Sequence, residues 1–167
     1  RDDLDLWVQL DEHTPVGFSN RENTPLHLDR DDLGTTNDKI VIDGATVIIK
    51  SNRETVTIRG IIPGDYFIAV HAYHKKELTI PYTVTVIKVN PFRQVYSITS
   101  EIVTARAIHR LPAFTVESNG RVSSVFKHMK NVVPSRQRNN SMDAEAFNLP
   151  ERVGQESTTL NNNGAGQ

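Results

Sequence analysis

Aspartates are concentrated in two short segments near the start of the chain. Asp3 and Asp5 lie two residues apart in a stretch that alternates like a β-strand, so both carboxylates project from the same face. Asp29, Asp31 and Asp32 form the second group, within "LDRDDLG". Calcium takes about six to eight oxygen ligands, usually several carboxylates together with backbone carbonyls. If the two segments meet in space, Asp3, Asp5, Asp31 and Asp32 are candidate calcium ligands.

A plainer interpretation gives these acids no ligand. They would line the solvated face of the first strand, and Arg30, Arg53 or Arg59 would pair with them and fix the neighbouring loop. The spacing does not match an EF-hand, because "DRDDLGTTND" lacks the full ligand set and the terminal Glu. A glycosidase pair of carboxylates is geometrically allowed, but nothing marks a sugar-binding cleft. The sequence leaves the solvated face and the calcium site open.

The histidines do not combine into a recognisable catalytic or metal site. His71 and His74 are three residues apart, so on a regular strand they point to opposite faces and are not expected to share a metal. The chain contains no G-x-S-x-G nucleophile elbow and no glycine-rich nucleotide-binding motif. We therefore predict no catalytic residues and no enzyme activity. A hydrolase would need a cleft that holds Asp5 or Asp32 next to a histidine.

Composition excludes several classes of function. The 167 residues carry Lys+Arg 19 against Asp+Glu 20, a formal net charge of −1, which argues against a nucleic-acid-binding protein. Without cysteine there is no disulfide and no cysteine-ligated zinc. We expect no cofactor other than the candidate calcium. No apolar run reaches the ~18 residues of a membrane helix. Because the chain begins with Arg1 and not Met, we expect an upstream piece in the natural protein, and membrane attachment only through such an anchor.

Strand periodicity and turn residues recur along residues 1–130. Asp43-Gly44 and Asn119-Gly120 each separate two runs rich in β-branched residues, which is a strong hairpin signal. The apolar positions predicted to face a core on the first strand, and on the strand after Pro63-Gly64, are Leu4, Leu6, Val8, Leu10 and Tyr66, Ile68, Val70, Ala72. Strands spaced about ten residues apart with tight turns predict an all-β fold, an antiparallel β-sandwich that is jelly-roll-like.

The composition changes near residue 131, which divides the chain into a β-sandwich domain (1–130) and an extended polar C-terminal arm (131–167). The arm has few apolar residues, so alone it cannot offset the entropy cost of becoming ordered. An arm of this kind is ordered most easily by lying on another surface. The sequence therefore indicates a protein that works in an assembly.

Several residues are candidates for contact with a partner. Trp7 falls on the polar face of its strand, so a second sheet, a loop or a partner must cover it. Four basic residues lie where the domain gives way to the arm and could dock on an acidic surface. The candidate partner-binding residues are Trp7, Lys127, Lys130, Arg136, Arg138 and Phe147.

Four segments carry a resemblance to a known family. They are "DLDLWVQL", "SNRENTPLHLDRDDLGTTND", "NRETVTIRGIIPGDYFIAVHAY" and "PYTVTVIKVNP". Over about residues 2–92 the chain resembles a family of small bacterial and phage proteins of unassigned function. That family is similar in turn to β-sandwich accessory modules of the pre-peptidase C-terminal type. The resemblance implies a non-catalytic module, with calcium bound near the first strand in some relatives, and often a single N-terminal membrane anchor.

Together these observations predict a non-catalytic structural or accessory subunit of a larger assembly. The expected partners are other protein subunits, a homo-oligomer being one form of this, and the contacts would use edge strands and the arm. The expected location is a phage virion, as a decoration or a tail- or capsid-associated protein, or the periplasmic or extracellular side of a bacterial envelope complex. The alternative is a calcium-dependent module that binds glycans or proteins.

Overall fold

The structure, a computed structural model, describes residues 2–31, 39–48 and 52–138, and the backbone of 143–145 and 152–154. These parts of the chain form thirteen strands and one short 3-10 turn at Ser135–Gln137. The strands are β1 (Asp3–Leu10), β2 (Glu22–Asn23), β3 (Leu26–Arg30), β4 (Lys39–Ile42), β5 (Ala45–Ile48), β6 (Thr55–Ile58), β7 (Gly64–His74), β8 (Ile80–Lys88), β9 (Arg93–Ile102), β10 (Ile108–Val116), β11 (Val122–Phe126), β12 (Asp143–Glu145) and β13 (Arg152–Gly154). Nowhere in these ranges is there a helix long and apolar enough to span a membrane.

Six strands form the largest sheet, in the order β1-β7-β10-β11-β13, with β12 beside β10. The β10–β12 pair is parallel and the other pairs of this sheet are antiparallel. Three smaller sheets are formed by β2-β3-β6, by β4-β5 and by β8-β9. The prediction of an all-β, mainly antiparallel fold is confirmed. The jelly-roll-like sandwich arrangement stays a prediction.

Both hairpins that the sequence indicated are present. Asp43 and Gly44 connect β4 to β5 with positive φ angles of 49° and 78°, the left-handed conformation that such a two-residue turn requires. Asn119 and Gly120 connect β10 to β11, where Gly120 has a φ of 77° and the Asn119 Oδ1 accepts a hydrogen bond from the Arg121 N–H at 2.9 Å. The local turn chemistry was therefore sufficient to place these connections.

A first core lies on one face of the large sheet. Of the apolar positions predicted to face a core on β1 and β7, six are buried in it, and Leu4 and Leu6 are partly buried against it. Leu26 and Leu28 of β3 are buried in the same cluster, and half-buried side chains of β8 and β9 pack against it. The Tyr66 and Phe114 rings stack with their centroids 5.3 Å apart. The alternation of the strands was thus a correct guide to this face.

A second, smaller core lies on the opposite face of β1 and β7. Trp7 is completely buried there, together with Ala69, Ile108, Val132 and Val133. The expectation that this face of β1 is solvated is therefore wrong, because residues from other parts of the same chain cover it. The burial of Trp7 also removes it from the candidate partner surface.

The beginning of the predicted arm is part of the folded body. Val132 and Val133 pack against Trp7 in the second core. Further along, Asp143–Glu145 pairs with β10 and Arg152–Gly154 pairs with β11. These segments of the arm thus use the chain's own sheet as their surface. Phe147 lies outside the described residues.

Acid should weaken this attachment through His128. Its ring is buried, and the Lys130 N–H donates to the His128 Nδ1 at 3.2 Å, which suits the neutral imidazole. Burial lowers the pKa of His128 from its ordinary value of 6.5, more strongly than the hydrogen bond to the Ile68 carbonyl raises it, and the positive charges of Arg110 and Lys130 lower it further. Since the unfolded chain then binds a proton more readily than the folded one, the free energy of unfolding should fall as the pH decreases below about 6.5. Urea denaturation at pH 7 and pH 5 measures this fall.

The substitution His128→Gln should reduce the difference between the free energies of unfolding measured at pH 7 and pH 5. His13→Gln, at an exposed histidine, is the matched control and should leave it unchanged. An equal pH dependence in wild type and His128→Gln would show that His128 does not contribute to acid sensitivity.

Candidate functional site

Three carboxylates from distant parts of the sequence meet beside β1. Asp5, Asp31 and Glu54 each offer an oxygen atom, and these atoms lie within 4.8 Å of one another. Asp31 directly follows β3 and Glu54 directly precedes β6. Because β3 and β6 pair antiparallel, the two side chains come to the same end of that sheet. The Glu54 Oε2 accepts a 2.6 Å hydrogen bond from the Leu6 N–H, which ties this end to the edge of β1.

The Asp5 carboxylate is the buried member of this carboxylate cluster, and its residue is only 3 % exposed. Burial raises the pKa of Asp5, the charge of Asp31 raises it further, and His71 opposes both. The Asp5 Oδ2 has no hydrogen-bond partner within the described chain. A buried carboxylate oxygen of this kind costs free energy unless a proton or a cation compensates its charge.

His71 lies directly beside the cluster. Its Nδ1 is 3.6 Å from the Asp5 Oδ2, beyond hydrogen-bonding distance, and the residue is 1 % exposed. Neither ring nitrogen has a hydrogen-bond partner among the described residues. This is the enclosed acid–histidine pair that a hydrolase would require. A hydrolase would also need a nucleophilic side chain next to His71.

The same histidine lines a cleft of about 330 Å³. The described residues around this cleft are His71, Tyr73, His74, Arg106, Arg136 and Gln137. Tyr73 carries the only hydroxyl group among them, so these residues do not complete a Ser-His-Asp arrangement. Asp5 and His71 alone can hold or move a proton, but they do not form covalent catalytic machinery.

The expectation that His71 and His74 are kept apart on opposite faces is wrong, since both line this cleft. The reason is an irregularity in the pairing of β1 with β7. Leu4 pairs with Ala72 but Asp3 pairs with His74, which leaves one extra residue in β7. A bulge of this kind interrupts the strict alternation of side chains.

The other acidic residues have different surroundings. Asp3 lies at the start of β1 and is not among the three clustered acids, and Asp32 lies outside the described residues. Asp29 is 3.1 Å from Arg59 and accepts a hydrogen bond from the Thr57 hydroxyl. Those contacts, led by the Thr57 hydrogen bond, lower the pKa of Asp29. The pairing of acid with arginine expected from the sequence therefore exists at Asp29, and the Arg21 guanidinium also lies 4.0 Å from the Asp31 carboxylate.

Glu54 is the member of the cluster that sequence reasoning missed. It is separated from Asp5 by almost fifty positions and lies in no acidic run. Only the pairing of β3 with β6 brings it to Asp31. The β-branched run "TVTI" that follows Glu54 does predict a strand, and so it places Glu54 at the start of one. The position of Glu54 in space then depends on which strand pairs with this one.

The basic candidates for partner binding are partly engaged within the chain. The Lys130 Nζ lies 2.5 Å from the Glu12 carboxylate and 4.9 Å from the centre of the Phe67 ring. The Arg136 guanidinium donates to the Ser19 hydroxyl at 3.4 Å. Lys127 and Arg138 are half-buried. These four basic side chains are thus less available for binding a partner than the sequence suggested.

The β4–β5 hairpin is the most exposed apolar element of the described chain. It pairs with no other described strand, and all eight of its strand residues are exposed. Ile40 faces Val47 and Ile42 faces Ala45 across the hairpin, so these four side chains share one wholly apolar face. Val41, on the other face, is 72 % exposed. Neither core includes a residue of this hairpin.

Comparison with known proteins found no matching family model and no match among curated proteins or solved structures.

Proposed function

We propose that this protein is a non-catalytic structural or accessory subunit of a larger assembly, and that it docks through the β4–β5 hairpin. The observation that carries the proposal is the exposed apolar face of Ile40, Ile42, Ala45 and Val47. Exposed apolar patches rimmed by polar residues are typical of protein interaction sites.

The hairpin has the properties of an element that is completed by a partner. A two-stranded hairpin is at best marginally stable in water without a third strand or a packed face. Each outer edge of β4 and β5 also carries backbone N–H and C=O groups that can pair with a strand of another chain. If the hairpin joined a sheet of a neighbouring subunit, it would gain a third strand, and its edge N–H and C=O groups would be paired.

The proposed partner is a protein subunit, and a second copy of this chain is one form of it. The family resemblance of residues 2–92 favours a phage particle, or a bacterial envelope complex, as the assembly. The sequence assigned docking to edge strands and the arm. Because β12 and β13 pair with the chain's own sheet, the proposal places docking on the edge strands of the β4–β5 hairpin.

Cross-linking with mass spectrometry on native material tests this proposal. Lys39, at the start of β4, reports on the hairpin, whereas Lys88, whose ammonium donates to the Gly120 carbonyl, reports on the body of the domain. The proposal predicts reproducible links from Lys39 to one defined subunit at one defined position. Links from Lys39 only within the chain would contradict it.

A second candidate function is calcium binding, supported by the carboxylate cluster together with the unpartnered oxygen of Asp5. Asp5, Asp31 and Glu54 would hold the ion, and backbone carbonyls and water would complete the about six to eight ligands that calcium requires. The ion would compensate the buried charge of Asp5 and would join β1 to the β3–β6 sheet.

Calcium should accordingly stabilise the folded protein. At a concentration 100 times the dissociation constant, the free energy of unfolding should rise by about 2.7 kcal/mol. Asp5→Asn and Asp31→Asn should each abolish the rise, whereas Asp43→Asn, at the exposed turn of the hairpin, should retain it. Differential scanning calorimetry with and without millimolar calcium measures the effect. No shift in the melting temperature of the wild type would end this candidate.

A further inference from the structure

The cleft beside His71 has the lining of an anion-binding site. It is surrounded by two arginines, two histidines, a tyrosine and a glutamine, and no carboxylate is found among its described lining residues. Every one of these side chains can donate a hydrogen bond. From this lining we propose that the cleft binds the phosphoryl group of a small, soluble phosphate monoester. The site shares no residue with the β4–β5 hairpin.

Three separate elements build this cleft. Tyr73 and His74 come from the end of β7, Arg106 from the turn between β9 and β10, and Arg136 from the 3-10 turn that follows the second core. Arg106 has a φ of 60°. A left-handed backbone at a residue other than glycine persists where the surroundings fix it, and such residues cluster at ligand sites. The convergence of these elements therefore resembles a binding site more than a chance surface groove.

The walls of the cleft are held by the second core. The Tyr73 ring packs against the Phe18 ring at 5.4 Å between centroids, and the Phe18 ring packs against the buried Trp7 at 5.6 Å. Val132 and Val133, just before the 3-10 turn, pack in the same cluster and fix the chain that leads to Arg136. A site with a supported wall loses little entropy when a ligand binds.

His71 supplies a buried polar group at the cleft. Its Nδ1 lies 3.6 Å from the Asp5 Oδ2, and neither ring nitrogen has a hydrogen-bond partner among the described residues. Because both nitrogens are almost completely covered, contact with a ligand falls to the exposed lining residues Tyr73, His74 and Arg136.

The number of donors favours a phosphoryl group over a carboxylate. The Arg136 guanidinium, the Tyr73 hydroxyl, the Gln137 amide and the His74 ring offer more N–H and O–H groups than the two oxygens of one carboxylate can accept. A phosphate monoester presents three terminal oxygens, and the planar arginine fork binds two of them at once. The volume of about 330 Å³ also leaves room for a small organic group attached to the phosphate.

Isothermal titration calorimetry with inorganic phosphate and with glycerol 2-phosphate, at constant ionic strength, tests this site on the full chain. We expect saturable binding of both, with glycerol 2-phosphate tighter. Arg136→Gln should weaken binding at least about tenfold, as expected for the loss of a charge-assisted hydrogen bond. Arg136 is exposed, so the substitution should leave the fold intact. Arg136→Lys, which keeps the charge without the fork, should fall between wild type and Arg136→Gln.

Arg121→Gln is the matched control, because it removes the same charge from an exposed turn remote in sequence from the lining residues. It should bind both probes as the wild type does. Equal weakening by Arg121→Gln and Arg136→Gln would mean general charge attraction and would overturn the proposal. So would the absence of saturable binding, or binding to vesicles containing phosphatidic acid without binding of glycerol 2-phosphate, which would indicate a lipid headgroup.

Discussion

The substitution Trp7→Ala is expected to lower the free energy of unfolding by about 3–5 kcal/mol. Trp7 is completely buried in the second core, and the site is tightly packed around it. A Cβ added at Gly17 would approach the Trp7 ring to 2.5 Å, so the backbone lies directly against the indole. Removing the ring should leave a cavity that the surrounding strands cannot close. Urea denaturation at neutral pH measures the loss.

Phe92→Ala is the matched control for this prediction. Phe92 is also a large aromatic residue, but it is 76 % exposed, so its removal should change stability by less than about 0.5 kcal/mol. A small effect of Trp7→Ala would show that Trp7 is not packed as described, and Trp7 would return to the candidate partner surface.

The substitution Val133→Asp is expected to cost at least about 3 kcal/mol, because it places an uncompensated carboxylate in an apolar core. Val133 is completely buried, although it lies beyond residue 130, where the composition turns polar. The substitution therefore tests whether residues 132–133 belong to the folded body. Thermal unfolding followed by near-ultraviolet circular dichroism at pH 7 reports the packing around Trp7 directly.

Ser135→Asp controls for the added charge two positions further along. Ser135 is exposed, so the same carboxylate should be tolerated there with little change in stability. If both substitutions had equally small effects, the segment after residue 130 would not contribute to the core, and the boundary drawn from composition would also be a structural one.

Most of the first core could be predicted from local patterns. The period of two along β1 and β7 identifies their shared apolar face, and Asp43-Gly44 and Asn119-Gly120 identify two hairpins, because these effects depend only on neighbouring residues. The second core could not be predicted in this way. Its members Trp7 and Val132 are more than 120 positions apart, and no local pattern indicates that one covers the other.

The candidate site was predicted only in part, for the same reason. Asp5 and Asp31 were identified because both lie in visible acidic runs, and the structure brings them together. Glu54 reaches them through strand pairing, which a single sequence does not reveal. His71 and His74 were separated by assuming a regular strand, and one extra residue in β7 invalidates that assumption.

The docking role of the β4–β5 hairpin is tested most directly by sedimentation of the tagged full chain expressed in its native source. The double substitution Ile42→Lys with Val47→Lys places two charges on the apolar face, and Leu78→Lys, at a residue 90 % exposed and outside the hairpin, is the control. Wild type and Leu78→Lys should sediment with a large assembly. The double variant should sediment as a free chain with an unchanged melting temperature. Retention of the double variant in the assembly, or a wild type that sediments alone, would contradict the proposal.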